Sequence, residues 1–258
     1  MNNVIVNIWN YRHLTLKLAM SDFKLRYKNS VLGFLWSLIE PLLMLAVSYI
    51  VFSYFMKMNV QHYQLFLLAG IISWNMLARG TSMGLNSILG RPGLVNKVYF
   101  PREILVVSSS ITALLMTLLE FIVFGIFMII FKVMPTITII YFPIILFIQF
   151  ILVLGISFGL ASLNVYYRDV QYIWAVVLQS GFFATPILYP MSIIPEKYVS
   201  IIKLNPMTSI IDTLRGSMIY SVAPIFRDMI FVTILSLLAL IIGYSIFLKL
   251  EPRFSEEI

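Results

Sequence analysis

Three ionisable residues stand inside long apolar runs: Glu40, Arg79 and Glu120. A charge held within hydrocarbon is costly, so such residues face protein or water and take a partner. Glu40 falls about nine residues into its run, roughly 14 Å at about 1.5 Å per residue; Arg79 falls about fourteen residues into the next, roughly 21 Å from the opposite edge. Both counts end in the same half of a bilayer, which predicts a Glu40–Arg79 ion pair. Glu120, counted to the other half, has no evident basic partner, and a structural role is favoured over a proton relay.

A second kind of chemistry is offered by Leu94 to Glu103, which follows the helix-breaking Gly90-Arg91-Pro92-Gly93. Arg91, Lys97 and Arg102 frame the apolar Val98, Tyr99 and Phe100, with Pro101 and Glu103 closing the stretch. A loop at a membrane surface is ordinarily polar. This one is expected to form a short helix whose aromatic side chains enter a partner's groove, the kind of contact that dominates interface energetics. The alternative is an aromatic anchor in the headgroups.

Several function classes are excluded. No phosphate loop of the form G-x-x-x-x-G-K-[ST] exists, and Gly90 to Lys97 has the wrong spacing for one. There is no Asp-x-Asp, only His13 and His62 far apart, and no cysteine, so no metal ligands or catalytic residues are assigned. Energy for any vectorial work must therefore arrive through contact with another subunit.

The elements that must carry these residues are apolar helices. The 258 residues are 60% hydrophobic and 11% charged, against roughly 45–50% and about 25% in soluble domains. The chain is expected to be an all-α membrane protein of six transmembrane helices in one domain spanning 1–258. The spans are Val31 to Phe55, Leu65 to Leu89, Ile104 to Phe131, Thr138 to Leu163, Val170 to Leu188 and Met229 to Leu248. Pro41 should kink the first, and Thr185-Pro186 should open the fifth.

Ahead of them, residues 1–30 read as an amphipathic helix suited to the headgroup layer. Val4, Ile8, Tyr11, Leu14, Leu18 and Leu25 lie on one side, and Asp22 is placed to pair with Arg26. Between spans five and six, 190–227 holds two apolar pieces too short to cross. Asn205-Pro206 caps the second, in which Met207, Ile210, Ile211, Leu214 and Met218 repeat at helical spacing. A re-entrant pair closing the outer end of a pathway is expected there; two helices lying flat is the alternative.

Arg12, Lys17, Lys24, Arg26 and Lys28, then Arg79, Arg91, Lys97 and Arg102, then Arg168, Lys249 and Arg253 fall on one side, which makes both termini cytoplasmic. The formal charge of +7 reflects this bias and not nucleic-acid binding. The 15% aromatic content bears on cargo, because sugar C–H faces stack on rings. Trp36, Tyr49, Phe52, Trp74, Phe182, Phe183 and Tyr189 are candidates to line a glycan path, against the alternative that they pack or face lipid.

Four stretches together resemble one family. Phe23 to Leu42, with Gly33-Phe34-Leu35-Trp36 and Glu40-Pro41-Leu42 at its end, is similar to the start of the first span in ABC-2 type permeases that export polysaccharides. Lys97-Val98-Tyr99-Phe100-Pro101-Arg102-Glu103 resembles their coupling segment. Asn164-Val165-Tyr166-Tyr167-Arg168-Asp169 resembles their inner turn, and Leu204-Asn205-Pro206-Met207-Thr208 their outer re-entrant region. The resemblance implies a homodimer with an interface helix at 1–30, a coupling helix at 91–102, and span six with a cytoplasmic tail at 228–258. It also implies two copies of an ABC ATP-binding subunit that hold the ATP and Mg, and a lipid-linked glycan such as O-antigen, capsule or teichoic acid as cargo. Two other readings stay open: a permease of this type for a drug or another lipid, and a membrane-embedded polyprenyl-phosphate glycosyltransferase.

Overall fold

The computed structural model describes residues 6–254 apart from 8, 29–31, 34, 98–99 and 135, and at 27 and 95–97 the backbone alone. Val4, Ile8, Val31, Val98, Tyr99 and Pro135 therefore lie outside the described residues. The described secondary structure is helical throughout: α1 (Arg12–Tyr27), α2 (Leu35–Tyr49), α3 (Tyr63–Leu85), α4 (Pro92–Lys97), α5 (Glu103–Ile130), α6 (Tyr141–Tyr166), α7 (Val170–Ala184), α8 (Glu196–Lys203), α9 (Pro206–Met218) and α10 (Phe226–Leu250). Four helical runs are long and apolar enough to cross a membrane, Leu35–Phe55, Glu103–Ile130, Ile137–Tyr166 and Phe226–Arg253; α7 is a shorter apolar helix.

Helix α3 is the hub. It is 23 residues long, yet less apolar than α2, α5, α6, α7 and α10, and nearly every side chain from Leu65 to Gly80 is buried. It packs on α2, α5, α6, α7 and α9. A helix that faces protein on all sides has no need of a lipid-facing surface and tolerates Ser73, Asn75, Arg79 and Thr81.

The first span runs to Phe55, the residue expected, and the fifth stops short of expectation for a backbone reason. Pro41 sits buried within α2, and that helix finishes in a wide π-helical turn, Ile50–Phe55. Helix α7 stops at Ala184, short of Leu188, because Pro186 lacks the N–H that the next turn requires. Helices α6 and α10 pack along one another through glycine. A Cβ added to Gly243 would run into the Gly155 carbonyl oxygen, and one added to Gly155 would meet the backbone of Ala239 and Leu240. Small residues are what let two membrane helices approach to backbone contact.

Helix α1 lies against α5. Tyr11, Leu14 and Leu18 pack onto a cluster that includes Ile104, Leu105, Phe158, Phe247 and Phe254, and the Thr112 hydroxyl donates to the Ala19 carbonyl at 3.2 Å. Leu25 departs from the expected apolar face: it is exposed, and Thr15 and Ala19 complete the buried stripe instead. At the other end of the bundle Asn205 caps α9 by accepting from the Met207 N–H at 3.0 Å, with Pro206 at the first helical position. Met207, Ile210, Ile211, Leu214 and Met218 are all buried.

Candidate functional site

A groove of about 1010 Å³ opens among α2, α3 and α7. Helical spacing explains which residues reach it. Trp36, Glu40, Leu43, Met44 and Val47 share one face of α2; Ile71, Trp74, Asn75, Ala78 and Arg79 share one face of α3; Leu178, Gln179, Phe182 and Phe183 share one face of α7. Ser37 of α2, Arg26 of α1 and Met116 of α5 complete the lining. A second recess of about 440 Å³ continues from the shared residues Arg26, Glu40, Asn75 and Arg79 to Ser82, Met83 and Asn86.

The groove is chemically polarised. Towards α9 it is aromatic: Trp74 meets Phe182 edge-on with ring centroids 6.1 Å apart, and Phe182 meets Phe183 at 5.4 Å. Towards α1 it is charged and polar, with the Trp36 ring one helical turn before Glu40. Of the aromatic candidates, Trp36, Trp74, Phe182 and Phe183 come to the groove and Tyr49, Phe52 and Tyr189 do not. Tyr49 lies two residues past Val47, so the helix turns it away and onto Tyr63, 6.1 Å between rings. Phe52 packs against the central core, and the Tyr189 hydroxyl donates to the Phe183 carbonyl at 3.0 Å.

At the charged end Arg79 lies between two carboxylates. Its Nη2 is 2.6 Å from Glu120 Oε1 and 3.9 Å from Glu40 Oε2. Glu120 is completely buried, whereas the Glu40 side chain is 62% exposed and looks into the groove. The expectation that Glu120 lacks a basic partner is thus corrected: it is the nearer partner of Arg79. The contact is single, because Arg79 Nη1 and Glu120 Oε2 are buried with no hydrogen-bond partner among the described residues.

The stretch read as a foothold divides in two. Lys97 ends α4, and Val98 and Tyr99 lie outside the described residues. Phe100 corrects the expectation that it is offered to a partner: it is 8% exposed and belongs to the cluster with Ile88, Ile104 and Phe254. The bend at Pro101 before α5 turns its ring inward. Arg102 donates to the Glu251 carbonyl at 2.7 Å and lies 5.9 Å from the Phe254 ring. Glu103 is buried and accepts from Asn7 Nδ2 at 3.0 Å. Asp22 pairs with Arg91, not with Arg26 as expected; Arg26 Nη1 faces Met83 Sδ at 3.9 Å. Tyr167, Arg168 and Asp169 form an exposed turn between α6 and α7, one turn shorter than expected because α6 runs on to Tyr166. No cluster of metal-ligating side chains occurs among the described residues.

The description ABC-2 type transporter matches residues 13–219. The chain belongs to the ABC-2 type transporter family. Over 260 residues, all of both chains, it is 29% identical to the O-antigen export system permease protein RfbA of Myxococcus xanthus. Over 245 residues, 94% of each, it is 32% identical to a protein of the same name from Klebsiella pneumoniae. It is also 24% identical over 241 residues to the polysialic acid transport protein KpsM of Escherichia coli, 89% of this chain and 90% of that one. As an ABC-2 type transporter the chain is a multi-pass membrane subunit without ATPase activity, and membership implies an ABC ATPase subunit as partner.

The ABC-2 framework carries one charged residue whose role went unseen in the sequence. Arg215 of α9, expected in an outer loop, is 3% exposed. Its Nε donates to the Phe66 carbonyl at 3.0 Å, and its two Nη donate to the Pro186 and Ile187 carbonyls at 2.7 Å each. The guanidinium also lies 3.4 Å from the centre of the Phe66 ring. Pro186 ends the regular pairing of α7, so carbonyls just past the break need donors, and one guanidinium serves them. Tyr63 adds its hydroxyl to the Leu188 carbonyl at 2.6 Å. The available signal was local: an arginine within the apolar repeat of α9, and a proline inside an apolar run elsewhere. Asn75 and Gln179, polar residues in apolar helices, likewise marked the groove.

Proposed function

We propose that this chain is the permease subunit of an ATP-driven exporter that moves a lipid-linked polysaccharide of O-antigen, capsule or teichoic acid type across the cytoplasmic membrane. Two copies form the pathway and two ABC ATP-binding subunits, which hold ATP and Mg, drive it. Each copy spans six times. The long apolar helices, α7 and the central α3 are the spans, and both termini are cytoplasmic because Lys and Arg gather at the α1 end. The observation that carries the reading is the polarised groove. Its aromatic end offers flat faces to sugar rings, and its charged end, with the exposed Arg26, offers donors to the anionic link between glycan and lipid. The end-to-end likeness to the O-antigen export permeases supports the same cargo class.

The coupling contact is assigned to α4 and the segment after it. Tyr99 and Val98 are docking residues; Phe100 anchors the segment from within. The test is co-purification of the tagged chain with the ABC ATPase encoded beside it, together with surface polysaccharide in the host. Tyr99→Ser should uncouple ATP turnover from export while the chain accumulates normally. A deletion strain that keeps its surface polysaccharide, or a drug phenotype in its place, overturns the cargo. Unchanged coupling in Tyr99→Ser overturns the docking assignment.

A further inference from the structure

Helix α1 and the residues just before it touch both ends of the coupling segment. Asp22 forms an ion pair with Arg91, the residue before α4, with the two side chains only 16% and 19% exposed. Fifteen residues earlier on the same arm, Asn7 Nδ2 donates to Glu103 Oε1, at the first residue of α5, 3.0 Å away. One turn after Asp22 stands Arg26, which lines the charged end of the groove with Glu40 and Arg79. The arm thus fastens the segment where it leaves α3, fastens it again where it enters α5, and ends at the mouth of the pathway.

The Asp22–Arg91 pair is the link of the two that resists separation. Arg91 Nη1 is buried with no hydrogen-bond partner among the described residues, so the guanidinium depends on Asp22. A mostly shielded pair is screened far less than an exposed one, and removal of one member leaves an uncompensated charge. Besides the Thr112–Ala19 hydrogen bond, the rest of the attachment of α1 is apolar packing by Tyr11, Leu14 and Leu18. Such packing tolerates sliding better than a paired charge does.

We infer that Asp22 is a positioning residue for export: through Arg91 it locks α4 to α1, so that displacement of the coupling segment is delivered to Arg26 at the groove. The inference rests on the proposed docking role of that segment. It is tested in the intact complex of the chain with its ATPase, comparing the wild type, Asp22→Asn and the charge-exchanged pair Asp22→Arg with Arg91→Asp. Asp22→Asn should retain the ATPase on co-purification and retain ATP turnover, yet lower surface polysaccharide per ATP hydrolysed by roughly tenfold, the size of a typical coupling free energy. The exchanged pair should recover most of the loss, which a general weakening of the fold would not allow. Export at the wild-type level in Asp22→Asn, or an exchanged pair no better than that variant at equal chain level, overturns the inference. Loss of the ATPase from Asp22→Asn overturns it also, because the pair would then build the docking surface itself. Failure of the wild type to hold the ATPase overturns the docking reading instead.

Discussion

Arg79 of α3 bonds Glu120 of α5 at 2.6 Å, while Glu40 of α2 stands off at 3.9 Å with most of its side chain open to the groove. One arginine therefore serves two carboxylates of different kinds. Glu120 is sealed between helices, and Glu40 is presented to whatever occupies the groove.

The two acids should respond differently to substitution. Removing one member of a buried pair leaves the other charge uncompensated, at a cost of about 3–5 kcal/mol. Glu120→Ala should therefore lower the unfolding free energy in detergent by about 3 kcal/mol. Glu40→Gln should cost less than about 1 kcal/mol, as for a solvent-exposed pair, and lower export instead. Thermal unfolding of the purified chain reads the first effect and surface polysaccharide the second. Equal destabilisation by the two would mean that Glu40 is as structural as Glu120.

The glycine crossing of α6 and α10 offers a steric test with internal controls. Gly243→Ala would drive a methyl into the Gly155 carbonyl, a backbone atom that no rotamer change can move aside. Overpacking of this kind costs about 1–3 kcal/mol. Gly159→Ala, whose nearest contact would be 3.6 Å away, and Gly125→Ala, with nothing within 4 Å, should be close to neutral. A drop in melting temperature for Gly243→Ala alone is the expected pattern.

Arg215 should not tolerate lysine. Its three donated bonds leave one planar group in three directions, and an ammonium at the end of a flexible stem does not reproduce that fork. Each buried carbonyl left without a donor costs about 1–3 kcal/mol. Arg215→Met should cost about 3 kcal/mol or more, and Arg215→Lys most of that, by thermal unfolding. Space at this site is tight as well: a Cβ at Gly70 would lie 2.5 Å from the Arg215 Nη2. Gly70→Ala should weaken the same region, and a Gly70→Ala chain as stable as the wild type would show that the guanidinium moves freely.

The aromatic residues should sort by exposure. Phe183, 61% exposed beside the groove, should change to Ala within about 0.5 kcal/mol of wild-type stability, as surface positions do, while export falls. Trp74, 7% exposed in the same lining, should lose both. Tyr49, which packs on Tyr63 away from the groove, should lose stability with little effect on export beyond the lower chain level. Unfolding midpoints and surface polysaccharide measured on the same three variants decide among these outcomes.

Much of the chain's plan was legible locally. Long apolar runs must be helices, because backbone groups within hydrocarbon have no other partners. Asn205-Pro206 had to cap α9, through the residues' own backbone chemistry; Pro186 was visible within its apolar run, though it was expected to open the helix and instead ends it. The charged residues within apolar runs were visible too, and so was their need for partners. The choice of partner belonged to the tertiary structure. Arg79 on α3 takes Glu120 on α5 as its close partner. Glu40 on α2, parallel to α5, meets Arg79 only at the longer distance. Counting residues from the ends of each run put Arg79 and Glu120 in different halves, because it takes no account of how the helices are shifted and rotated against one another, which is why Glu120 looked isolated. The same limit hid the inward turn of Phe100, the Asp22–Arg91 pair and the burial of Arg215. Each depends on which helix faces which, and that is set only when all of them pack around α3.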